Sequence, residues 1–113
     1  FLKQYRYADA ILMKAEAKVR KGDDGSKELN AIRDRAGMPH VKANLSNILK
    51  ERLLELVWEG WRRQDPIRFG EYTKAYDQRT PLENEFTGFT TVFPIPQKCL
   101  DLNKGLKQNP GYQ

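Results

Sequence analysis

Apolar residues return at offsets of three and four near the start of the chain: Ala8, Ile11, Leu12, Ala15 and Val19 form one stripe, the pattern of an amphipathic helix. Met13, Lys14, Glu16 and Lys18, which lie between them, are good helix formers. Lys18, Arg20 and Lys21 suit the negative end of the helix dipole, and Gly22 with the turn Asp23-Asp24-Gly25 marks the stop. A second, shorter helix is predicted from Ser26 as N-cap, with Leu29, Ile32 and Ala36 as its buried stripe and Gly37 and Pro39 as its terminator. Residues 1–39 therefore read as a helix pair joined by a brief polar turn.

A third helix is predicted over residues 44–70, with Asn44 or Ser46 as cap and Leu45, Ile48, Leu49, Leu53, Leu56, Val57 and Gly60 on one side. Continuous helix places Glu59 within reach of Arg62 and Arg63, pairs worth about 0.2–0.5 kcal/mol each. Pro66 is expected to end or kink it, because its ring removes a donor and clashes with the preceding turn. Residues 71–113 read as an irregular, Pro-rich tail, polar from Gln78 to Gly88. Thr90 to Phe93 is predicted as a short extended piece, but Phe93-Pro94-Ile95-Pro96 lacks two ladder donors and cannot be a central strand. Pro96 suits the first turn of a short helix running through Lys98 to Leu102, and Asn109-Pro110-Gly111-Tyr112 a closing tight turn.

The fold class is thus mainly α: a helical hairpin of tetratricopeptide-like type, a long third helix and the irregular tail. Such pairs bury both faces only against neighbours, and one full pair is visible. The 113 residues fit one domain with a modest core. The net charge of +5 does not point to nucleic acid, since the Lys and Arg residues are scattered among 15 acidic ones. No stretch approaches the length of a membrane span, and the first residues carry neither an initiating Met nor a signal or lipidation motif. The chain reads as part of something longer.

Candidate chemistry is sparse. The single cysteine, Cys99, excludes an internal disulfide and is expected to be a small buried apolar residue. His40, the one histidine, lies in a connecting loop without the partners that triad or metal chemistry needs, so neither catalytic nor metal-binding residues are assigned. Glu59 and Asp65 could be imagined as paired glycosidase carboxylates, but ion pairing with Arg62, Arg63 and Arg68 accounts for them better. Trp58 and Trp61 offer flat faces for sugar stacking, yet aromatics on a helix that carries a core stripe usually pack inside, and both are assigned to the core. Asn44-Leu45-Ser46 matches a glycosylation sequon, which a capping role for Asn44 explains equally.

Four ordered blocks carry a resemblance. Arg6-Tyr7-Ala8-Asp9 through Ala15-Glu16-Ala17, then Leu29-Asn30-Ala31-Ile32-Arg33 through Gly37-Met38-Pro39, resemble consecutive segments of the SusD-like (RagB/SusD) family. Glu51-Arg52-Leu53-Leu54-Glu55 through Glu59-Gly60-Trp61-Arg62, continuing to Asp65, Arg68 and Gly70, is similar to its next helix. Phe93-Pro94-Ile95-Pro96-Gln97 and Gln108-Asn109-Pro110-Gly111-Tyr112 are similar to its closing segments. Pro66, Phe69, Lys98-Cys99 and Lys104-Gly105 depart from the family pattern, and Pro66 bears on how the third helix ends.

The resemblance implies the C-terminal part of a larger SusD-like fold, from a nutrient-binding lipoprotein exposed on the cell outer membrane. Such a protein traps an oligosaccharide or peptide and delivers it to a TonB-dependent transporter. It performs no catalysis, needs no cofactor, binds no nucleic acid, and touches the membrane only through an N-terminal lipid that this chain does not contain. Some members hold calcium. The family's ligand groove draws on loops elsewhere, so no ligand-binding residue is carried over, and Glu59, Arg62, Asp65 and Arg68 are expected to form a structural polar network. The alternative is a helical-repeat module that binds another protein.

Overall fold

The computed structural model describes residues 5–76 and 79–112; Gln78, where the polar stretch of the tail was expected to begin, lies outside them. The chain divides into two units, one ending at Phe69 and one beginning at Gly70. Among the described residues the regular structure is helical, without strands.

The first unit holds α1 (Tyr7–Lys21), α2 (Ser26–Arg35), α3 (Leu45–Glu55) and α4 (Gln64–Phe69). Leu12 and Ala15 of α1, Leu29 and Ile32 of α2, Ala43 and Ile48 form its core, with Ala8, Ile11, Val19, Val41 and Phe69 packed around them. Both members of the helix pair end as their sequences predict. Gly22 takes φ 94° while the amide of Asp23 donates to Lys18 O at 2.8 Å and that of Gly22 to Val19 O at 3.1 Å. Gly37, at φ 66°, does the same for α2, with Met38 N on Arg33 O at 2.9 Å and Gly37 N on Asp34 O at 3.0 Å. Both are Schellman closures, which need the left-handed conformation glycine adopts without strain.

Ser26 is the first residue of α2 and not its N-cap. Its Oγ accepts the amide of Ala43 at 2.9 Å, while Asn30 exchanges two bonds with the backbone of Val41 and Arg33 Nε donates to Pro39 O at 2.7 Å. Positions 26, 30 and 33 share one face of α2, so a single row of polar side chains pins the α2–α3 connection to it. Asn44 caps α3 as expected, accepting from Asn47 N at 2.8 Å.

The expectation of one long helix over 44–70 is corrected: α3 stops at Glu55 and α4 starts at Gln64. Between them Trp58 and Gly60 take φ 65° and 82°. The reason lies in Arg52 and Asp65, whose side chains meet at 2.7 Å. In an unbroken helix thirteen residues rise about 20 Å, far beyond the reach of that contact. The turn folds α4 back beneath α3, and Pro66 occupies the first turn of α4, where its missing donor is not needed.

In the second unit the extended piece expected at Thr90 to Phe93 is absent. Glu85–Thr87 and Phe89–Thr91 are single 3-10 turns, and α5 spans Gln97–Leu102 with Pro96 as its N-cap. Thr91 Oγ1 donates to Gly88 O at 2.7 Å, a local bond that competes with extended backbone. Between its two prolines, Ile95 keeps both backbone groups, and the Gln108 amide pairs with both, accepting from Ile95 N at 2.8 Å and donating to Ile95 O at 2.9 Å. Asn109 Nδ2 donates to Phe93 O at 2.7 Å and the Tyr112 hydroxyl to Val92 O at 2.8 Å. The tight turn at 109–112 closes as predicted, with Tyr112 N on Asn109 O and Gly111 at φ 87°.

Candidate functional site

The first unit contains an ion-pair network at its centre and an apolar cleft at the end of α3. Arg52, 2% exposed, is the hub of the network. Its Nε donates to Asp65 Oδ2 and its Nη1 to Asp9 Oδ1, each at 2.7 Å, which ties α1, α3 and α4 together. Arg68 extends the series, donating to both Glu16 oxygens at 2.7 and 2.9 Å and to Asp65 Oδ1 at 3.1 Å. Arg20 reaches Glu16 at 2.8 Å, and the guanidinium groups of Arg20 and Arg68 lie 5.0 and 5.2 Å from the Phe69 ring. A planar fork that is always charged suits such a position, because it offers a different nitrogen to each carboxylate.

Further pairs lie elsewhere in the unit. Arg6 donates to Glu59 and Glu55 at 2.8 Å each and to Glu55 O at 2.6 Å, while Arg33 reaches the buried Glu51 at 2.6 Å. Burial raises the Glu16 carboxyl, but hydrogen bonds from Arg68 and Arg20 outweigh it and hold the group below its ordinary value. Hydrogen bonds from Lys18 and then Lys14 draw Glu28 down to about 2 against the effect of burial. The hydrogen bond to Glu55 raises Arg6, and that to Glu16 raises Arg68. Glu16 and Glu28 thus stay ionised against their cations, an arrangement that fixes geometry.

Of the four residues expected in a polar network, the structure joins Asp65 and Arg68 directly. Glu59 pairs with Arg6 at 2.8 Å, and the turn after Glu55 removes the continuous-helix spacing from Glu59 to Arg62 and Arg63. Arg62 lines the neighbouring cleft. The hub Arg52 and its partner Asp9 were missed.

The two tryptophans separate. Trp61 is partly buried, 5.7 Å beneath the Arg52 guanidinium and 5.9 Å from the Tyr5 ring. Trp58, assigned to the core by its place on a continuous helix, is 99% exposed, since its left-handed backbone turns the side chain outward. Leu53, Leu56, Val57, Trp58, Trp61 and the edges of Arg52 and Asp65 border a cleft of about 470 Å³. Cys99 is exposed and not buried. His40 pairs with Asp34 at 2.6 Å on the exposed surface. Among the described residues no three His, Cys, Asp or Glu side chains converge as a metal site, and no helix is long and apolar enough to cross a membrane.

In the second unit Glu85 is fully buried and accepts from Thr90 Oγ1 at 2.6 Å, from Leu82 N at 2.8 Å and from Arg79. The hydrogen bond from Thr90 is the largest influence holding its carboxyl low. It anchors the loop between Leu82 and Thr90.

Comparison with known proteins finds relatives over nearly the whole chain. The chain is 30% identical over 116 residues to the starch-binding protein SusD of Bacteroides thetaiotaomicron, an alignment that covers 96% of this chain and 21% of that protein. It is 32% identical over 124 residues to the SusD-like protein P38 of Formosa agariphila, covering 96% of this chain and 24% of that protein. The chain therefore spans between a fifth and a quarter of the length of these curated relatives. The sequence profile of the SusD family matches residues 2–112, and the chain belongs to that family.

Proposed function

We propose that this chain is the helical scaffold of a longer, non-catalytic receptor that binds a glycan at the cell surface and passes it to a TonB-dependent transporter in the outer membrane. The observation that carries the reading is similarity over nearly the whole chain to a protein named for starch binding. In this reading the protein is a lipoprotein anchored by a lipid at its N-terminus, and its ligand is an oligosaccharide or, on the same scaffold, a peptide. The charged groups of the first unit support a scaffolding role, because they are spent on one another: Arg52 on Asp9 and Asp65, Arg68 on Glu16, Arg33 on Glu51. Ligand-contacting groups then come from other parts of the receptor.

The test uses the protein as encoded in full. Calorimetric titration with a panel of oligosaccharides and peptides is expected to yield a ligand of micromolar to millimolar affinity, about −4 to −8 kcal/mol. Chromatography after prolonged incubation should return the ligand unchanged, and the transporter should co-purify from membranes. Cleavage products, or nucleic acid displacing every sugar and peptide with steep salt dependence, would refute the receptor reading.

A further inference from the structure

A hollow of about 580 Å³ lies within the second unit, between the loop at 83–89, Val92 and the closing turn at Pro110 and Gly111. Its walls are fixed before anything enters. The buried Glu85 anchors the loop through Thr90, Leu82 and Arg79. The Tyr112 ring stands edge-on to that of Phe89, with centroids 5.3 Å apart, while its hydroxyl holds Val92 O at 2.8 Å. A Cβ on Gly111 would fall 2.5 Å from that of Phe89, so the turn presses directly against this residue. Such mutual bracing lowers the ordering cost of any ligand the hollow takes.

The lining joins two kinds of group. Phe89, Val92 and Pro110 supply apolar surface, whereas Glu83, Asn84 and Thr87 supply polar atoms. Among the described residues neither the Glu83 carboxylate nor the Asn84 carboxamide has a hydrogen bond or an ion pair. Asn84 O already accepts from Thr87 N at 3.1 Å and Thr87 Oγ1 at 2.8 Å, and the threonine oxygen keeps its acceptor capacity. The cleft at the end of α3 is different, since the Arg52 and Asp65 side chains on its border are already bonded to each other, to Asp9 and to Arg68. An apolar hollow with a few unspent polar groups beside it is the usual form of a small-molecule site.

That chemistry selects the occupant. A pyranose unit presents C–H groups that suit phenylalanine, valine and proline, and hydroxyls that must be bonded when they leave water. A carboxylate accepts from two hydroxyls, and a carboxamide both accepts and donates. An anionic sugar would instead set its charge beside Glu83, which is unfavourable.

We propose that the hollow between the 83–89 loop and the closing turn is a subsite for one neutral pyranose unit of a glycan, with Glu83 and Asn84 bonding its hydroxyls. The subsite rests on the reading of the chain as part of a glycan receptor.

The full-length protein is titrated calorimetrically with neutral hexasaccharides of glucose, xylose and mannose, with hexagalacturonate, and with peptides. A neutral hexasaccharide is expected to bind, with Glu83→Gln raising its Kd about tenfold or more and Asn84→Gly raising it about three- to tenfold. Glycine keeps the left-handed backbone that Asn84 adopts at φ 61° while removing the amide. Hydrogen exchange in the unsubstituted protein is independent of how the variants fold, and the amides of residues 83–92 should exchange more slowly once the hexasaccharide saturates it. Kd values within about twofold in both variants, or exchange over 83–92 unchanged at saturation, would overturn the subsite and leave the receptor reading standing. Binding of hexagalacturonate alone, or of peptides alone, would do the same. A protein that binds no saccharide and no peptide would sink the receptor reading and the subsite with it.

Discussion

Arg52→Ala should be among the most damaging single changes in the first unit. Its partners Asp9 and Asp65 have side chains only 2% and 4% exposed, so alanine leaves two carboxylates in a space that excludes water. Asp65 keeps Arg68 at 3.1 Å. Asp9 has no such reserve, because its Oδ1 loses Arg52 and its Oδ2 has no hydrogen-bond partner among the described residues. Breaking one buried pair from one side costs about 3–5 kcal/mol. Arg68 tempers the second loss, so the total should stay near that range and not double it. At about 1.4 kcal/mol per factor of ten, the amides of α1 and α3 should exchange with solvent roughly two to four decades faster when measured by native-state hydrogen exchange in the full-length protein. Arg52→Lys keeps a charge but cannot fork to both carboxylates, and should fall between. Much of the cost is charge left unpaired, so adding Asp9→Asn and Asp65→Asn to Arg52→Met should recover most of the loss. Exchange in Arg52→Ala within a factor of ten of the unsubstituted protein would refute the view of a desolvated hub.

Three other outcomes follow from the same geometry. Hydrogen-bonding cations hold Glu28 at about 2 and Glu16 below the usual 4.5, so the unfolded chain takes up protons first as pH falls; the stability these groups supply is complete above about pH 4.5 and lost toward pH 2, visible in thermal melts across that window. Gly111→Ala places a Cβ 2.5 Å from Phe89 Cβ at φ 87°, whereas Gly22→Ala meets nothing within 4 Å at φ 94°. Both carry the left-handed cost of about 1–2 kcal/mol, but only Gly111→Ala should also speed exchange at the Val92 and Tyr112 amides. The isolated 113 residues, with Trp58, Leu54 and Val57 exposed, should melt below about 60 °C in calorimetry, and a cooperative transition above that would contradict the dependence on neighbours.

The helix pair was legible because its signals are local: an apolar stripe, cations in the last turn, and a glycine where the left-handed conformation is required. The end of α3 was not, because Leu53, Leu56, Val57 and Gly60 continue a helical stripe past the point where the chain turns. That stop is imposed from a distance by the contact between Arg52 and Asp65, and no local propensity encodes it. The exposure of Trp58 and the loss of the Glu59 to Arg62 spacing both follow from the same stop. A usable signal was nevertheless present. Arg52 lies four residues from both Ile48 and Leu56, on the buried face of α3, and Asp9 lies three before Leu12 on that of α1. One cation and one anion, each on its helix's buried stripe, ask for each other, since neither charge is stable there alone.

The same pairs explain what the four sequence blocks encode. Arg6, Asp9 and Glu16 come from the first block, Arg33 and Arg35 from the second, and Glu51, Arg52, Glu55, Glu59, Asp65 and Arg68 from the third. In the folded unit every one of them bonds to a charged residue of another of these blocks or of another helix: Arg6 to Glu55 and Glu59, Asp9 to Arg52, Glu16 to Arg68, Arg33 to Glu51, Arg35 to Glu55, Asp65 to Arg52. The last block behaves alike, Gln108, Asn109 and Tyr112 binding the backbone of Val92, Phe93 and Ile95. The charged and amide residues of these blocks are therefore the ones that tie the helices of the first unit together and clamp the tail of the second. Pairs formed between blocks, and not within one helix, hold the first unit together, so loss of either partner is felt on two elements at once.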